Sequence, residues 1–302
     1  NYKYDKLSAY TNISARYDES PRNLRTRRTL RDSDQETRFV QSANDKEVED
    51  NQNINLGFNY QLSDAHSIGG EASFNASNSE RRGDNLTRVF NNTFQEADSF
   101  LTQGTHNLYK PDNYSFNLNH EWQGDNGIKW STQGDYFFND LTFRRAYDNA
   151  VYGNYADYEE RDNQVSQRYF RNRFPVNTGI YSAQSDLTLP VDEHQKLEFG
   201  AKGSWITTDD KFIEEDYRDG YWDNEGNINS SFHYQERILA GYVNYSGPLS
   251  SQLKVQAGLR VENTTNLGEN QEVEVFNRHY TSFFPNIALK HKINKRHTLN
   301  YS

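Results

Sequence analysis

Residues Ile54, Leu56, Phe58, Tyr60 and Leu62 alternate with Asn55, Gly57, Asn59 and Gln61, without a fault over nine positions. A short polar turn at 63–66 follows, and Ile68, Ala72, Phe74 and Ala76 continue the alternation. Successive side chains of a strand point to opposite faces, so one face meets an apolar medium and the other meets water. The pattern recurs along the chain, and its connections are of two kinds that alternate. Short turns lie near 63–66, 123–127, 190–194, 246–248 and 294–296, and long polar stretches cover about 18–50, 78–112, 139–178, 207–234 and 263–280. Short turns at one end and long loops at the other are the arrangement of a transmembrane β-barrel.

The spacing predicts about eleven strands. They lie near 7–17, 54–62, 68–76, 114–122, 128–136, 181–189, 197–205, 238–245, 253–261, 287–293 and 297–302. The apolar set assigned to the outer face includes Ile54, Leu56, Phe58, Tyr60, Ile68, Phe74, Tyr114, Phe116, Leu118, Leu197, Phe199, Val255 and Leu259. The inward set is Asn55, Asn59, Glu71, Ser73, Asn117, Asn119, Glu198, Lys202, Gln256, Arg260 and Glu262. The strand at 238–245 is ambiguous, because Ile238, Ala240 and Tyr242 compete with Leu239, Val243 and Tyr245. Trp122 and Trp130 flank one short turn and are assigned to an aromatic membrane girdle. Their alternative is the core of a soluble β-sandwich, which the one-sided loop lengths disfavour.

Composition fits a barrel. Only 33% of residues are hydrophobic and mean hydropathy is −1.07, yet 14% are aromatic, more than a disordered chain carries. Half of each barrel strand faces a wet lumen, so a low average is expected. No run of about 18 apolar residues offers a transmembrane helix. The chain has no cysteine, which excludes disulfides and thiolate chemistry, and its net charge of −10 argues against nucleic acid as a partner. The chain stops inside an alternating run, so it reads as an internal segment, residues 1–302 being a partial barrel domain.

Two stretches near the C-terminal end carry a resemblance. One is Gln256, Ala257, Gly258, Leu259, Arg260, Val261 and Glu262; the other runs from Phe283, Phe284, Pro285, Asn286, Ile287, Ala288 and Leu289 into Lys292, Ile293, Asn294, Lys295, Arg296, His297, Thr298 and Leu299. Their order, with the strand at 234–243 before them, resembles the outer-membrane β-barrel family of Bacteroidota within the TonB-dependent receptor group. That resemblance implies an all-β, antiparallel up-and-down barrel of about 22 strands in the outer membrane. It also implies an N-terminal plug, energy from the TonB complex and import of a ligand. Lipid, lipopolysaccharide and a surface lipoprotein are the further partners expected. The rival readings are a non-transporting adhesin or structural barrel, and a soluble β-sandwich or fibre domain.

Candidate binding residues lie in the long stretches. Arg25, Arg27 and Arg28, with Arg22 and Arg31, suit an anionic ligand, because guanidinium groups match phosphate. Arg144, Arg145, Arg168, Arg171 and Arg173 form a second group. Tyr152, Tyr155 and Tyr158, with Tyr147 and Tyr169, offer either a contact surface or loop packing. Acidic residues crowd 209–225, where Asp223 and Glu225 could hold Ca2+ although the EF-hand spacing is missing. Ordinary solvated charge is the alternative for each charged group. No other cofactor is expected. No H-E-x-x-H, G-x-S-x-G or phosphate-loop motif occurs, so no catalytic role is expected.

Overall fold

The computed structural model describes residues 1–32, 35–91, 95–225, 228–293 and 297–301. Within them the chain forms one antiparallel sheet of thirteen strands. The strands are β1 (Tyr2–Tyr4), β2 (Leu7–Asp32), β3 (Gln35–Gln61), β4 (His66–Asn91), β5 (Ser99–Gln123), β6 (Lys129–Tyr152), β7 (Ser166–Pro190), β8 (Lys196–Arg218), β9 (Tyr221–Asp223), β10 (Asn229–Pro248), β11 (Leu253–Asn270), β12 (Val273–Lys292) and β13 (Thr298–Tyr301). Each pairs with its sequence neighbour, except that β9 hangs on β8 and β10 takes the next place beside β8. This is up-and-down topology. A helix, α1 (Tyr155–Glu160), interrupts the connection from β6 to β7. No helix among the described residues is long and apolar enough to cross a membrane, which says nothing about strands.

All eleven expected strands are present as β2–β8 and β10–β13, with β1 and β9 as short additions. The expected loops are the main correction. Most of 18–50, 78–112, 139–178, 207–234 and 263–280 is strand, and β11 turns into β12 through Gln271 and Glu272 alone. β2 and β3 have 26 and 27 residues, roughly 85 Å of chain at about 3.3 Å per residue. A spanning strand needs only about 9–11. The hairpins therefore continue far beyond a bilayer. Ladder pairs are interrupted beside Pro111 and Pro175, which have no N–H to donate.

Register settles the faces, because paired residues share one. Leu56, Ala72, Phe116, Tyr136, Tyr181, Trp205 and Arg237 form one outward row. Phe58, Gly70, Leu118, Gly134, Ala183, Gly203 and Leu239 form the next. Between them lies the inward row of Gly57, Glu71, Asn117, Asp135, Ser182, Ser204 and Ile238. The ambiguous strand is thereby resolved: Leu239, Val243 and Tyr245 face outward, and Ile238, Ala240 and Tyr242 face inward. Leu118 and Leu239 are 61% and 66% exposed, as a surface meant for lipid requires. The sheet does not close among the described residues. β1 covers only 7–9 of β2, and β13 covers only 289–292 of β12.

Short turns gather at one end, at 62–65, 124–128, 191–195 and 249–252. The expected turn at 294–296 lies outside the described residues. Between β5 and β6, Asn126 and Gly127 have φ of 62° and 77°, the left-handed region in which a side chain is strained. Gly127→Ala is expected to cost about 1 kcal/mol in reversible unfolding from lipid. Gly134→Ala, on the outward face of β6 where a Cβ meets nothing within 4 Å, is expected to leave the same measurement unchanged.

Candidate functional site

The inward face is the site the fold builds. Its side chains are mostly polar and bond one another along and across strands, so they form a bonded lining instead of a packed core. At the level of the apolar band, Asn117 Nδ2 donates to Asp135 Oδ1 at 2.6 Å and Ser182 Oγ donates to Asp135 Oδ2 at 2.9 Å. Asn119 donates to Asn117 at 3.1 Å. Tyr242 Oη donates to Asp186 at 2.5 Å, Gln184 to the same carboxylate at 2.7 Å, and Arg260 to Glu262 at 2.5 Å. One step outward, Asn139 donates to Asn113 at 2.6 Å, and Asn113 to Asn75 at 3.4 Å. Satisfied amides and carboxylates of this kind suit a water-filled lumen.

The opposite face at the short-turn end carries Trp122 and Trp130, paired directly across the ladder. Trp130 donates its indole N–H to Ser185 at 2.8 Å. His66 lies 6.1 Å from Trp122 and His120 lies 5.7 Å from Trp130, ring centre to ring centre. Trp130 thus presents an apolar ring whose polar edge is satisfied within the same face.

The outer hairpins hold the remaining candidates. Arg25, Arg27 and Arg28 are exposed, but on strand β2 and not in a loop. Register puts Arg27 in an outward row with Val40, Arg88, Phe100 and Tyr152, about 19 Å from the tyrosine at four strand spacings. Arg28 points to the other face. Tyr152 is 3% exposed and belongs to a small core with Phe100 and Ala150, so it is packing and not contact surface. Tyr158 stacks on Phe100 at 4.9 Å and meets Tyr152 edge-on at 5.9 Å. The Arg161 guanidinium lies 4.8 Å over the Tyr158 ring. Tyr155 is 57% exposed and donates to Glu159. Asn154 caps α1 by accepting from the Asp157 N–H at 2.9 Å. Tyr158→Ala is expected to release α1 from the sheet and raise hydrogen exchange across 153–165, while the β5–β6 ladder at 112–122 stays protected.

Arg168, Arg171 and Arg173 of the second arginine group join Glu214, Glu215 and Asp216 of the acidic crowd in one ion-pair network, whereas Arg144 and Arg145 lie on β6. Residues 209–218 are strand β8 and not loop, and lie beside β7. Arg171 and Arg173 both donate to Glu215, at 2.7 and 2.9 Å. Arg168 donates to Asp216 at 2.7 Å and to Glu214 at 2.8 Å, and Arg218 reaches Asp216 at 2.7 Å. The Arg171 guanidinium, joined by Arg173, holds the Glu215 carboxyl below its ordinary range, and Asp216 and Glu214 push Arg168 upward. Sequence reading missed the pairs between β7 and β8 because their members lie 42–48 positions apart. Asp223 accepts the Glu225 N–H at 2.9 Å and faces Arg218 at 3.8 Å. Among the described residues no three His, Cys, Asp or Glu side chains gather as metal ligands. Residues 226 and 227 of the Ca2+ candidate stretch lie outside the described residues.

Residues 124–302, more than half of the chain, match the family described as "Outer membrane protein beta-barrel family". The chain belongs to this family. Its place is accordingly the outer membrane, with the apolar rows toward lipid. No curated protein sequence matches it. Solved structures similar to this family member include the outer membrane protease OmpT of Escherichia coli, at 11% identity and a TM-score of 0.29, covering 95% of this chain and 96% of that one. The siderophore receptor PiuA of Acinetobacter baumannii is 9% identical with a TM-score of 0.44, covering 97% of this chain and 48% of that one. The translocator domain of the autotransporter NalP of Neisseria meningitidis is 10% identical with a TM-score of 0.29, covering 97% and 79%. These barrels have different activities, so fold likeness assigns none of them here.

Proposed function

We propose that the chain is part of the wall of a TonB-dependent-receptor-like importer of Bacteroidota type, with no catalytic role. The observation that supports this most is the polar, internally bonded inward face, which suits the lining of a wet passage. The outer hairpins are the capture surface, where Arg25, Arg27, Arg28 and Tyr155 stay exposed to a ligand. Short turns face the periplasm and hairpins face outward, as in other bacterial barrels. Energy comes from the TonB complex through a plug and a TonB-contacting segment elsewhere in the polypeptide, and a surface lipoprotein is the further partner.

The test is the complete reading frame together with uptake. A plug and TonB-contacting segment upstream, with ligand accumulation abolished when TonB is removed, is the expected result. A complete frame without either segment contradicts import and leaves the surface-protein reading.

A further inference from the structure

We propose that the lipid-facing wall carries a site for a phosphorylated lipid of the outer leaflet, in chemical terms an acylated glucosamine phosphate of the lipid A class. Its phosphate sits on Arg237 and an acyl chain lies in the groove below. The proposal needs only the position of the wall in the outer membrane and is independent of import.

An open groove of about 1030 Å³ runs across the sheet between the two outward rows. That is the upper end of ligand-sized cavities, about 300–1,000 Å³. Its floor is the backbone of the intervening row, open at Gly134 where a Cβ would meet nothing within 4 Å, while the Phe58 ring leans over Gly70 and Leu239 reaches Gly203 at its two ends. Aromatic side chains of Phe116, Tyr136, Tyr181 and Trp205 form the other bank. An apolar trough of this kind suits an acyl chain, and among the described residues no side chain fills it at Gly134.

Arg237 supplies the charge complementarity. It lies on the outward face at the end of this groove, with its guanidinium 4.4 Å over the Trp205 ring. No carboxylate among the described residues pairs with it, whereas the arginines of β7 and Arg218 are matched to β8 acids. Its depth also fits. On β10 the outward residues below Arg237 are Leu239, Gly241, Val243 and Tyr245, and those above are Gln235 and His233, so Arg237 marks the outer rim of the apolar band. On β5 the same row holds Phe116, with Leu118, His120 and Trp122 toward the short turns. The row therefore climbs from within the bilayer at β3–β5 to the outer interface at β10. A lipid phosphate at the rim with a chain descending inward follows that line. An arginine at an interface is cheap, and its charge-assisted bonds to phosphate are strong.

The test is native mass spectrometry of the detergent-purified full-length protein titrated with bisphosphoryl lipid A, its dephosphorylated form and phosphatidylcholine. One bisphosphoryl lipid A per chain is expected. Arg237→Gln should weaken its retention about tenfold or more, and Arg237→Lys should keep most of it. Gly134→Leu fills the trough where a Cβ meets no neighbour and should weaken retention with the fold intact, read by heat-modifiable migration. Equal retention by Arg237→Gln and native protein, or equally tight binding of phosphatidylcholine, overturns the proposal.

Discussion

Leu118→Arg is expected to cost about 2–4 kcal/mol of folding free energy in a bilayer, measured by denaturant titration of protein refolded into lipid vesicles. Leu118 stands in the middle of the outward run Tyr114, Phe116, Leu118, His120 and Trp122 of β5, so the guanidinium would enter hydrocarbon where no water or carboxylate awaits it. Asn59→Arg makes the control. Asn59 is exposed on the inward face, in a row with Gly69 and Asn119. The same charge there faces the lumen and is expected to change stability by less than about 0.5 kcal/mol. Similar costs at the two positions would mean that the two faces do not meet different media.

Glu215→Gln is expected to loosen the outer half of the β7–β8 hairpin without disturbing its membrane part. Glu215 is 8% exposed and receives Arg171 and Arg173 together, so removing its charge leaves two guanidinium groups facing each other. Breaking a buried pair costs about 3–5 kcal/mol, and the partly exposed arginines reduce this to about 1–3. Hydrogen exchange at 168–174 and 211–217 should rise about tenfold or more, with 197–205 unchanged. The same carboxylate sets a pH dependence. Its folded pKa is depressed, so its contribution is present above the unfolded value and is lost as pH falls through the folded one. Acidification below the ordinary glutamate value of about 4.3, through the lower folded one, should loosen this hairpin in the native protein, and in Glu215→Gln that contribution should be absent.

The membrane part of the fold was legible in sequence because the two faces of each strand meet opposite media there. Every outward and inward residue assigned from alternation has that orientation. The signal vanished above the band, where both faces meet water. Arg22, Arg25, Arg27 and Arg28 carry no apolar alternation, and β2 nonetheless continues through them, because its ladder to β3 rests on backbone bonds that hydropathy does not report. At β10, Ile238, Ala240 and Tyr242 put apolar atoms on the wet face, and only the register with Ser204, Lys202 and Gly200 decides the orientation. The candidate tyrosines divided for a similar reason. Composition marks Tyr152 and Tyr155 alike, but Phe100, 52 positions before Tyr152, buries the first and leaves the second outside. The arginine and acidic groups were visible separately, and only the pairing of β7 with β8 shows that they neutralise each other.

Nitroxide scanning of residues 114–122 tests most directly whether these strands form a wall between lipid and a wet lumen. This chain contributes no cysteine of its own, so single labels can be placed along β5 in the full-length protein in vesicles. Collision with oxygen should peak at 114, 116, 118, 120 and 122, and collision with an aqueous nickel chelate at 115, 117, 119 and 121. Equal aqueous access at both sets, or no two-residue period, would contradict the account.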